Sequence, residues 1–224
     1  RALAVTFITP VVAVLTTGSA LAVDWAKEHL PGVLVAWYPG QRGGNAIADV
    51  LFGDYNPAGR LPVTFYKAGE ELPAFDDYTM DGRTYRYFDG EPLYPFGHGL
   101  SYTDFAYSDL HLDRVRTDAD GQVTATLMLR NTGKRAGDEV VQLYVRGPGA
   151  GDGAALKDLR GFQRVHLQPG EAREVAFVLE PGRHLRRYDA DAGAYVVDPG
   201  EYEVQVGASS ADIRARTRFT VAGD

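Results

Sequence analysis

The sequence predicts an α/β segment followed by an all-β domain, that is, the tail of a larger α/β domain and then an antiparallel β-sandwich. Two short apolar runs, Val11–Leu15 and Val33–Trp37, flank a helical pattern in the order expected of a parallel α/β unit. From Phe105 onward, apolar and polar residues alternate with a period of two in short segments separated by turns. Both observations indicate a folded, core-forming chain.

Composition excludes several kinds of site and partner. The 224 residues contain no Cys, so a disulfide scaffold, a thiolate zinc site, an iron–sulfur cluster and a cysteine nucleophile are excluded. The net charge of −7 argues against nucleic acid as a partner, because such binding relies on clustered Lys and Arg. A neutral or polar partner fits this charge better.

The first apolar run allows two interpretations. Arg1 followed by the uncharged stretch 2–23 is similar to a signal peptide with a small-residue cleavage site. Pro10 and Gly18 interrupt that stretch, which weakens both this interpretation and that of a membrane span. A buried β-strand over Val11–Leu15 is the favoured interpretation.

The next elements continue the α/β order. The spacing predicts a helix over Ala20–Leu30 and a strand over Val33–Trp37. A second helix is predicted over Ala46–Phe52, closed by Gly53, and a third strand over Leu61–Phe65. Three strands and two helices leave hydrophobic sheet faces uncovered. We therefore expect the earlier strands of this domain to lie on another polypeptide or on a removed part of this one.

The second half predicts a β-sandwich of the immunoglobulin or fibronectin type III kind. Turn-forming clusters such as Asn131-Thr132-Gly133 and Asp198-Pro199-Gly200 separate the segments. The predicted strands are Phe105–Leu112, Val123–Arg130, Glu139–Arg146, Leu159–Leu167, Glu174–Leu179, Tyr195–Val197, Tyr202–Gly207 and Ile213–Val221.

Several blocks carry a resemblance to a known family. Trp37–Asp54 and Asn56–Phe65 resemble the C-terminal part of glycoside hydrolase family 3. Leu93–Thr103 is similar to the segment that joins the family's α/β sandwich domain to its fibronectin type III-like domain. Asp138–Val145 and Leu159–Glu171 extend the resemblance into the second half.

The resemblance implies three regions. Residues 1–65 would be the C-terminal part of an α/β sandwich domain, residues 66–104 an aromatic-rich linker, and residues 105–224 a fibronectin type III-like domain.

The resemblance also implies an activity and partners. Members of the family are exo-acting β-glycosidases that retain anomeric configuration and need two carboxyl groups about 5 to 5.5 Å apart. Neither the nucleophile motif nor the acid/base motif of the family occurs here, so no catalytic, cofactor-binding or metal-binding residue is assigned and no cofactor is expected. The expected partners are the upstream portion of the same enzyme, with the barrel domain and the rest of the α/β sandwich, and an oligosaccharide or glycoside substrate. Neither nucleic acid nor a membrane is expected, a homodimer is one possible assembly, and the location is expected to be periplasmic or secreted.

Local carboxylates and histidines have structural interpretations. The pairs Asp24/Glu28, Glu70/Glu71 and Asp76/Asp77 are interpreted as solvated surface charges. Asp49 is expected to cap its helix or to pair with Arg42 or Arg60. The histidines lack metal-binding spacing, and His98, between two glycines, is interpreted as a ring packed in a domain junction.

The linker is rich in aromatic residues, which either contact sugar or hold the domains together, and the second role is favoured. These residues are Tyr66, Phe75, Tyr78, Tyr85, Tyr87, Phe88 and Tyr94. The run Asp81–Phe88 is more similar to the β-xylosidase branch of the family than to the commonest β-glucosidases. Two alternatives stay open: a non-catalytic module that binds carbohydrate or protein, and an independent small α/β enzyme.

Overall fold

A computed structural model describes residues 10–70, 73–149 and 154–223. The chain begins with the α/β order predicted from the sequence. The elements are β1 (Val12–Leu15), α1 (Asp24–His29), β2 (Gly32–Val35) and α2 (Gly43–Phe52). Strand β1 pairs with β2 in parallel, in a register that runs from Val12 opposite Gly32 to Leu15 opposite Val35. The stretch considered as a signal peptide thus contributes a paired strand.

Both helices begin at other residues than predicted. Helix α1 begins at Asp24 rather than Ala20, after a turn in which Thr17 and Ser19 form side-chain to backbone hydrogen bonds. Helix α2 begins at Gly43, three residues before the predicted start. It ends where predicted, at Gly53, whose φ of 84° closes the helix in the left-handed region.

The third predicted strand, Leu61–Phe65, is wrong. Only an isolated antiparallel bridge forms, between Phe65 and Tyr94. The two segments do run side by side, with the Leu61 amide donating to the His98 carbonyl at 2.8 Å. Pro62 and Pro95 carry no backbone N–H, so the ladder is interrupted on both sides.

The second half is the predicted β-sandwich. A short helix, α3 (Thr84–Tyr87), precedes it in the linker, and a second, α4 (Pro181–His184), lies between strands. The strands are β3 (Phe105–Leu112), β4 (Arg116–Thr117), β5 (Val123–Asn131), β6 (Gly137–Arg146), β7 (Asp158–Leu167), β8 (Ala172–Leu179), β9 (Arg187–Asp189), β10 (Ala194–Val196), β11 (Gly200–Gly207) and β12 (Ile213–Val221).

Two sheets face each other across the core. One has the order β3-β5-β8 and the other the order β4-β12-β11-β6-β7, while β9 and β10 form a separate hairpin. Among the described strands of the sandwich, pairing is antiparallel except between β4 and β12, which run parallel over two residue pairs. The strands β4 and β9, which span only two and three residues, were not predicted from the sequence.

The core follows the alternation read from the sequence. In β5, Val123, Ala125, Leu127 and Leu129 are buried, and the residues between them are more exposed. Phe177 and Phe219 join the same cluster from strands of the two different sheets. This core holds the sandwich together and supports the segments that pack on its outer surface.

Replacing a core leucine should measurably destabilise the sandwich. Leu127, which is 1% exposed, should lose about 2 to 5 kcal/mol of unfolding free energy as Leu127→Ala, through lost burial and a residual cavity. Leu100→Ala, at a side chain 75% exposed, is the matched control and should change stability by less than about 0.5 kcal/mol. Urea unfolding of the purified chain measures both, and equal losses would contradict this assignment of the core.

Candidate functional site

The carboxyl edge of the β1–β2 pair is the place where an α/β sheet binds ligands. Thr17, just after β1, is largely buried and its Oγ1 donates to the Ser19 carbonyl at 3.0 Å. Trp37, just after β2, has a φ of 52°, which is rare for a residue other than glycine. Such backbone strain clusters at functional sites, and this edge is therefore a candidate site.

Trp37 starts a row of aromatic contacts. Its ring meets the buried Phe65 edge-on at 6.3 Å between centroids, and Phe65 meets Tyr94 at 6.2 Å. Tyr94 then stacks on His98 at 5.2 Å. Lys27 lies 5.0 Å from the Tyr94 centroid and donates to the Leu93 carbonyl at 2.7 Å. The row connects the sheet edge to the segment that leads into the sandwich, and it places His98 in a packed junction, as the sequence indicated.

A buried ion pair fixes this junction to the sandwich. An Nη atom of Arg60 lies 2.8 Å from Oε1 of Glu139 on β6, with side chains 9% and 6% exposed. The same Glu139 oxygen also accepts the Val140 amide at 2.9 Å. A charge with so little water around it requires its partner, because an isolated buried charge is strongly unfavourable.

The side-chain amide of Gln142 also fixes the junction to the sandwich. Nε2 of Gln142 donates to the carbonyls of Gly97 and Ala208, at 3.1 and 2.6 Å. Its Oε1 accepts from the Tyr144 hydroxyl at 2.6 Å. Gly97 has a φ of 80°, and a Cβ there would lie 2.1 Å from Gln142 Oε1, so only glycine fits.

The linker aromatics divide into two groups. Tyr66 meets Phe88 edge-on at 5.1 Å, and Tyr85 stacks on Phe96 at 4.4 Å while meeting Tyr144 of the sandwich at 5.7 Å. These rings hold the linker against its neighbours. By contrast, the linker residues Phe75 and Tyr78 are 102% and 93% exposed.

A cavity of about 370 Å³ opens between the linker and the sandwich. Tyr85, Phe88 and Phe96 line it together with Lys157, whose ammonium donates to the Ser210 carbonyl at 2.5 Å. Burial, with a further contribution from the charge of Arg216, lowers the pKa of Lys157. The lysine is thus part of the packing between linker and sandwich.

The local carboxylates do not form a catalytic constellation. Asp24 accepts the Ala68 amide at 2.9 Å and Asp77 accepts the Thr79 amide at 2.8 Å, so both serve local structure. Glu71 lies outside the described residues. The expected pairing of Asp49 with Arg42 or Arg60 is wrong, because Asp49 is exposed and Arg60 is held by Glu139.

The described ranges contain neither a cluster of metal-binding side chains nor a helix that could span a membrane. Among residues 10–70, 73–149 and 154–223, no group of three or more His, Asp and Glu side chains could hold a metal ion. In the same part of the chain, no helix is long and apolar enough to cross a membrane.

Comparison with known families identifies the family to which this chain belongs. Residues 2–102 match the glycosyl hydrolase family 3 C-terminal domain, and residues 139–210 match the fibronectin type III-like domain. The chain belongs to glycosyl hydrolase family 3. The first match crosses the end of the predicted α/β segment and includes the linker, so the divisions at residues 65 and 104 stay a prediction.

Relatives of two activities are similar to this family 3 chain. A xylan 1,4-β-xylosidase of Xylanibacter ruminicola is 44% identical over 203 residues, covering 90% of this chain and 23% of the relative. A periplasmic β-glucosidase of Salmonella typhimurium is 39% identical over 222 residues, covering 92% of this chain and 28% of the relative. The chain therefore spans about a quarter of the length of these relatives.

Solved structures agree in fold. The β-glucosidase 3B of Thermotoga neapolitana, in complex with glucose, is 36% identical with a TM-score of 0.83. The match covers 96% of this chain and 31% of that structure. The fold predicted for both halves is confirmed, and the chain corresponds to a C-terminal portion of longer family members.

Removing the buried acid at the junction should cost more than removing an exposed one. Glu139→Ala leaves Arg60 buried and unpaired, and should lower the free energy of unfolding by about 3 to 5 kcal/mol. Glu201→Ala, which breaks a pair 61% exposed on both sides, should lose less than about 1 kcal/mol. Denaturant unfolding compares the two, and a loss at Glu139 no larger than at Glu201 would refute the buried-pair assignment.

His98 should make stability sensitive to acid. Burial, followed by the charges of Arg60 and Lys27, lowers the pKa of His98 below its ordinary value of 6.5. The folded state therefore disfavours the proton, and stability falls as pH drops below 6.5 until the folded pKa is passed. Thermal unfolding at about pH 7.5 and about pH 5.5 should show a smaller acid-induced loss in His98→Gln than in the natural chain. Identical losses would contradict the prediction.

Proposed function

We propose that this chain is the C-terminal part of an exo-acting retaining β-glycosidase that hydrolyses terminal, non-reducing, β-linked sugars. The supporting observation is the similarity of nine-tenths of the chain to β-xylosidases and β-glucosidases. In the proposed reaction one carboxylate attacks the anomeric carbon and a second carboxyl group protonates the leaving oxygen. Both groups are assigned to the upstream portion, because the family's two catalytic motifs do not occur in this sequence. Of the carboxylates described here, Asp24 and Asp77 accept backbone amides and Glu139 is paired with Arg60.

The upstream portion of the same enzyme is the proposed main partner. Val12 and Val14 on β1 are 42% and 37% exposed, although a strand of a parallel sheet is normally covered on both faces. Phe52, at the end of α2, is 84% exposed. The rest of the α/β sandwich and the barrel domain would cover these apolar side chains.

The proposed substrate is a β-xyloside or β-glucoside. The run Asp81–Phe88 favours xylo-oligosaccharides, and the similarity to a xylan 1,4-β-xylosidase agrees with this preference. A periplasmic or secreted location is likewise proposed, supported by the relative named a periplasmic β-glucosidase.

Activity should require more than this chain. We expect the complete enzyme to hydrolyse aryl β-xyloside and aryl β-glucoside, and the separate 24.4 kDa chain to be folded and inactive on both. Circular dichroism establishes folding, and release of the aryl alcohol measures activity. Hydrolysis by the separate chain would overturn the assignment of the carboxylates to the upstream portion.

A calorimetric titration of the separate chain with xylotriose tests the alternative of a binding module. We expect no heat of binding from the separate chain. Saturable binding, combined with an inactive complete protein, would favour the module over the glycosidase.

A further inference from the structure

The aromatic loop, defined here as residues 73–83, presents two rings to solvent from an ordered frame. Phe75 and Tyr78 are 102% and 93% exposed. Burial of apolar surface of this size is favourable, so both rings are available for contact with another molecule. Neither ring takes part in the packing that holds the rest of the linker in place.

One arginine organises this loop from inside. The Arg83 guanidinium donates to the carbonyls of Ala74, Asp77 and Thr79, at 3.2, 2.7 and 3.1 Å. Asp77 closes a turn by accepting the Thr79 amide at 2.8 Å. The carbonyls next to both rings are thereby fixed, so the rings are presented by a built loop, which lowers the entropy cost of binding.

The base of the loop is closed on both sides. The Tyr66 hydroxyl accepts the Thr84 amide at 2.8 Å, and the Lys67 ammonium lies 2.6 Å from Oε2 of Glu91. Directly after the loop, the Tyr85 hydroxyl accepts the Leu159 amide of β7 at 3.0 Å. The loop therefore projects from a frame anchored to the sandwich.

The start of the linker, just before the loop, lies next to the carboxyl edge of the sheet. The Ala68 amide donates to Asp24, the first residue of α1, at 2.9 Å. Helix α1 follows β1 and runs back toward the start of β2, so its N-terminus lies at the carboxyl edge. The carboxyl edge is where α/β sheets bind ligands.

The chemistry of the loop fits a sugar better than a protein surface. The aromatic faces can pack on sugar C–H groups, the Tyr78 hydroxyl can hydrogen-bond, and the exposed Asp76 between the rings can accept from sugar hydroxyls. The centres of protein interfaces are depleted of charged residues, which disfavours a protein partner around Asp76.

We propose that Phe75 and Tyr78 contact the leaving-group sugar of the glycoside, with Arg83 as the positioning residue. This assignment rests on the proposed glycosidase function and adds a specificity site on the linker. It requires that the two rings assist only substrates whose leaving group is a sugar.

A contact with the leaving-group sugar can be tested by comparing a substrate that has such a sugar with one that does not. On xylobiose or cellobiose, the kcat/KM of the complete enzyme should fall about tenfold in Phe75→Ala and in Tyr78→Ala. On the corresponding β-glycosyl fluoride, whose leaving group is a fluoride ion, kcat/KM should stay within about twofold. Arg83→Met should show the same selective loss. Tyr195→Ala, at a tyrosine 63% exposed on the β9–β10 hairpin, is the control and should match the natural enzyme on both substrates.

The outcomes are distinguishable. A natural enzyme that hydrolyses neither substrate refutes the proposed function itself. If the natural enzyme is active, unchanged variants refute the leaving-group contact. An equal loss on both substrates, with a lower Tm, also refutes it and identifies the loop as a contact with the upstream portion.

Discussion

The buried ion pair between Arg60 and Glu139 is the contact on which the arrangement of the two halves depends. Arg60 belongs to the extended segment that runs beside Tyr94–His98. Glu139 lies on β6, an interior strand of the larger sandwich sheet. Two charges with so little exposure persist only as a pair. The pair therefore fixes the end of the α/β segment on the sandwich, and Gln142 fixes the following turn at Gly97 beside it.

This fixed junction gives the linker its shape. The rings of Tyr66, Tyr85 and Phe88 pack against neighbouring rings of the linker and the sandwich, and the aromatic loop projects from this frame with Phe75 and Tyr78 exposed. The same sheet exposes Val12 and Val14 on β1. In the proposed enzyme, the sandwich serves as a rigid base, the sheet joins the upstream portion, and the projecting loop meets the substrate.

The sequence was sufficient for the periodic features and for the blocks of family resemblance. Alternation in β5 and the glycine that closes α2 depend on local spacing, and both appear in the structure as predicted. Contacts between residues far apart in the sequence could not be predicted from local spacing. Arg60 was one of two arginines considered as a partner of Asp49, but it pairs with Glu139, which is 79 residues away. Pro62 and Pro95 interrupted a strand that its apolar pattern favoured, since a ladder needs donors on both segments.

The linker shows most clearly what could not be predicted from the sequence alone. Its seven aromatic residues form one set in the sequence, and only tertiary contacts separate Tyr85, stacked on Phe96, from the exposed Phe75 and Tyr78. The position of Arg83 in the sequence could have suggested an ordered loop, because a guanidinium can donate hydrogen bonds to the backbone carbonyls of nearby residues. The alternation and turn rules applied to the sequence assign no such role to an arginine.

In the proposed enzyme, the upstream portion completes the exposed sheet of this C-terminal portion. Hydrogen–deuterium exchange of the separate chain and of the complete enzyme tests it most directly. We expect strong additional protection of β1 and α2 in the complete enzyme, with unchanged protection of β5 and β6 in the sandwich core. Equal protection of β1 in both samples would show that the upstream portion does not cover this sheet.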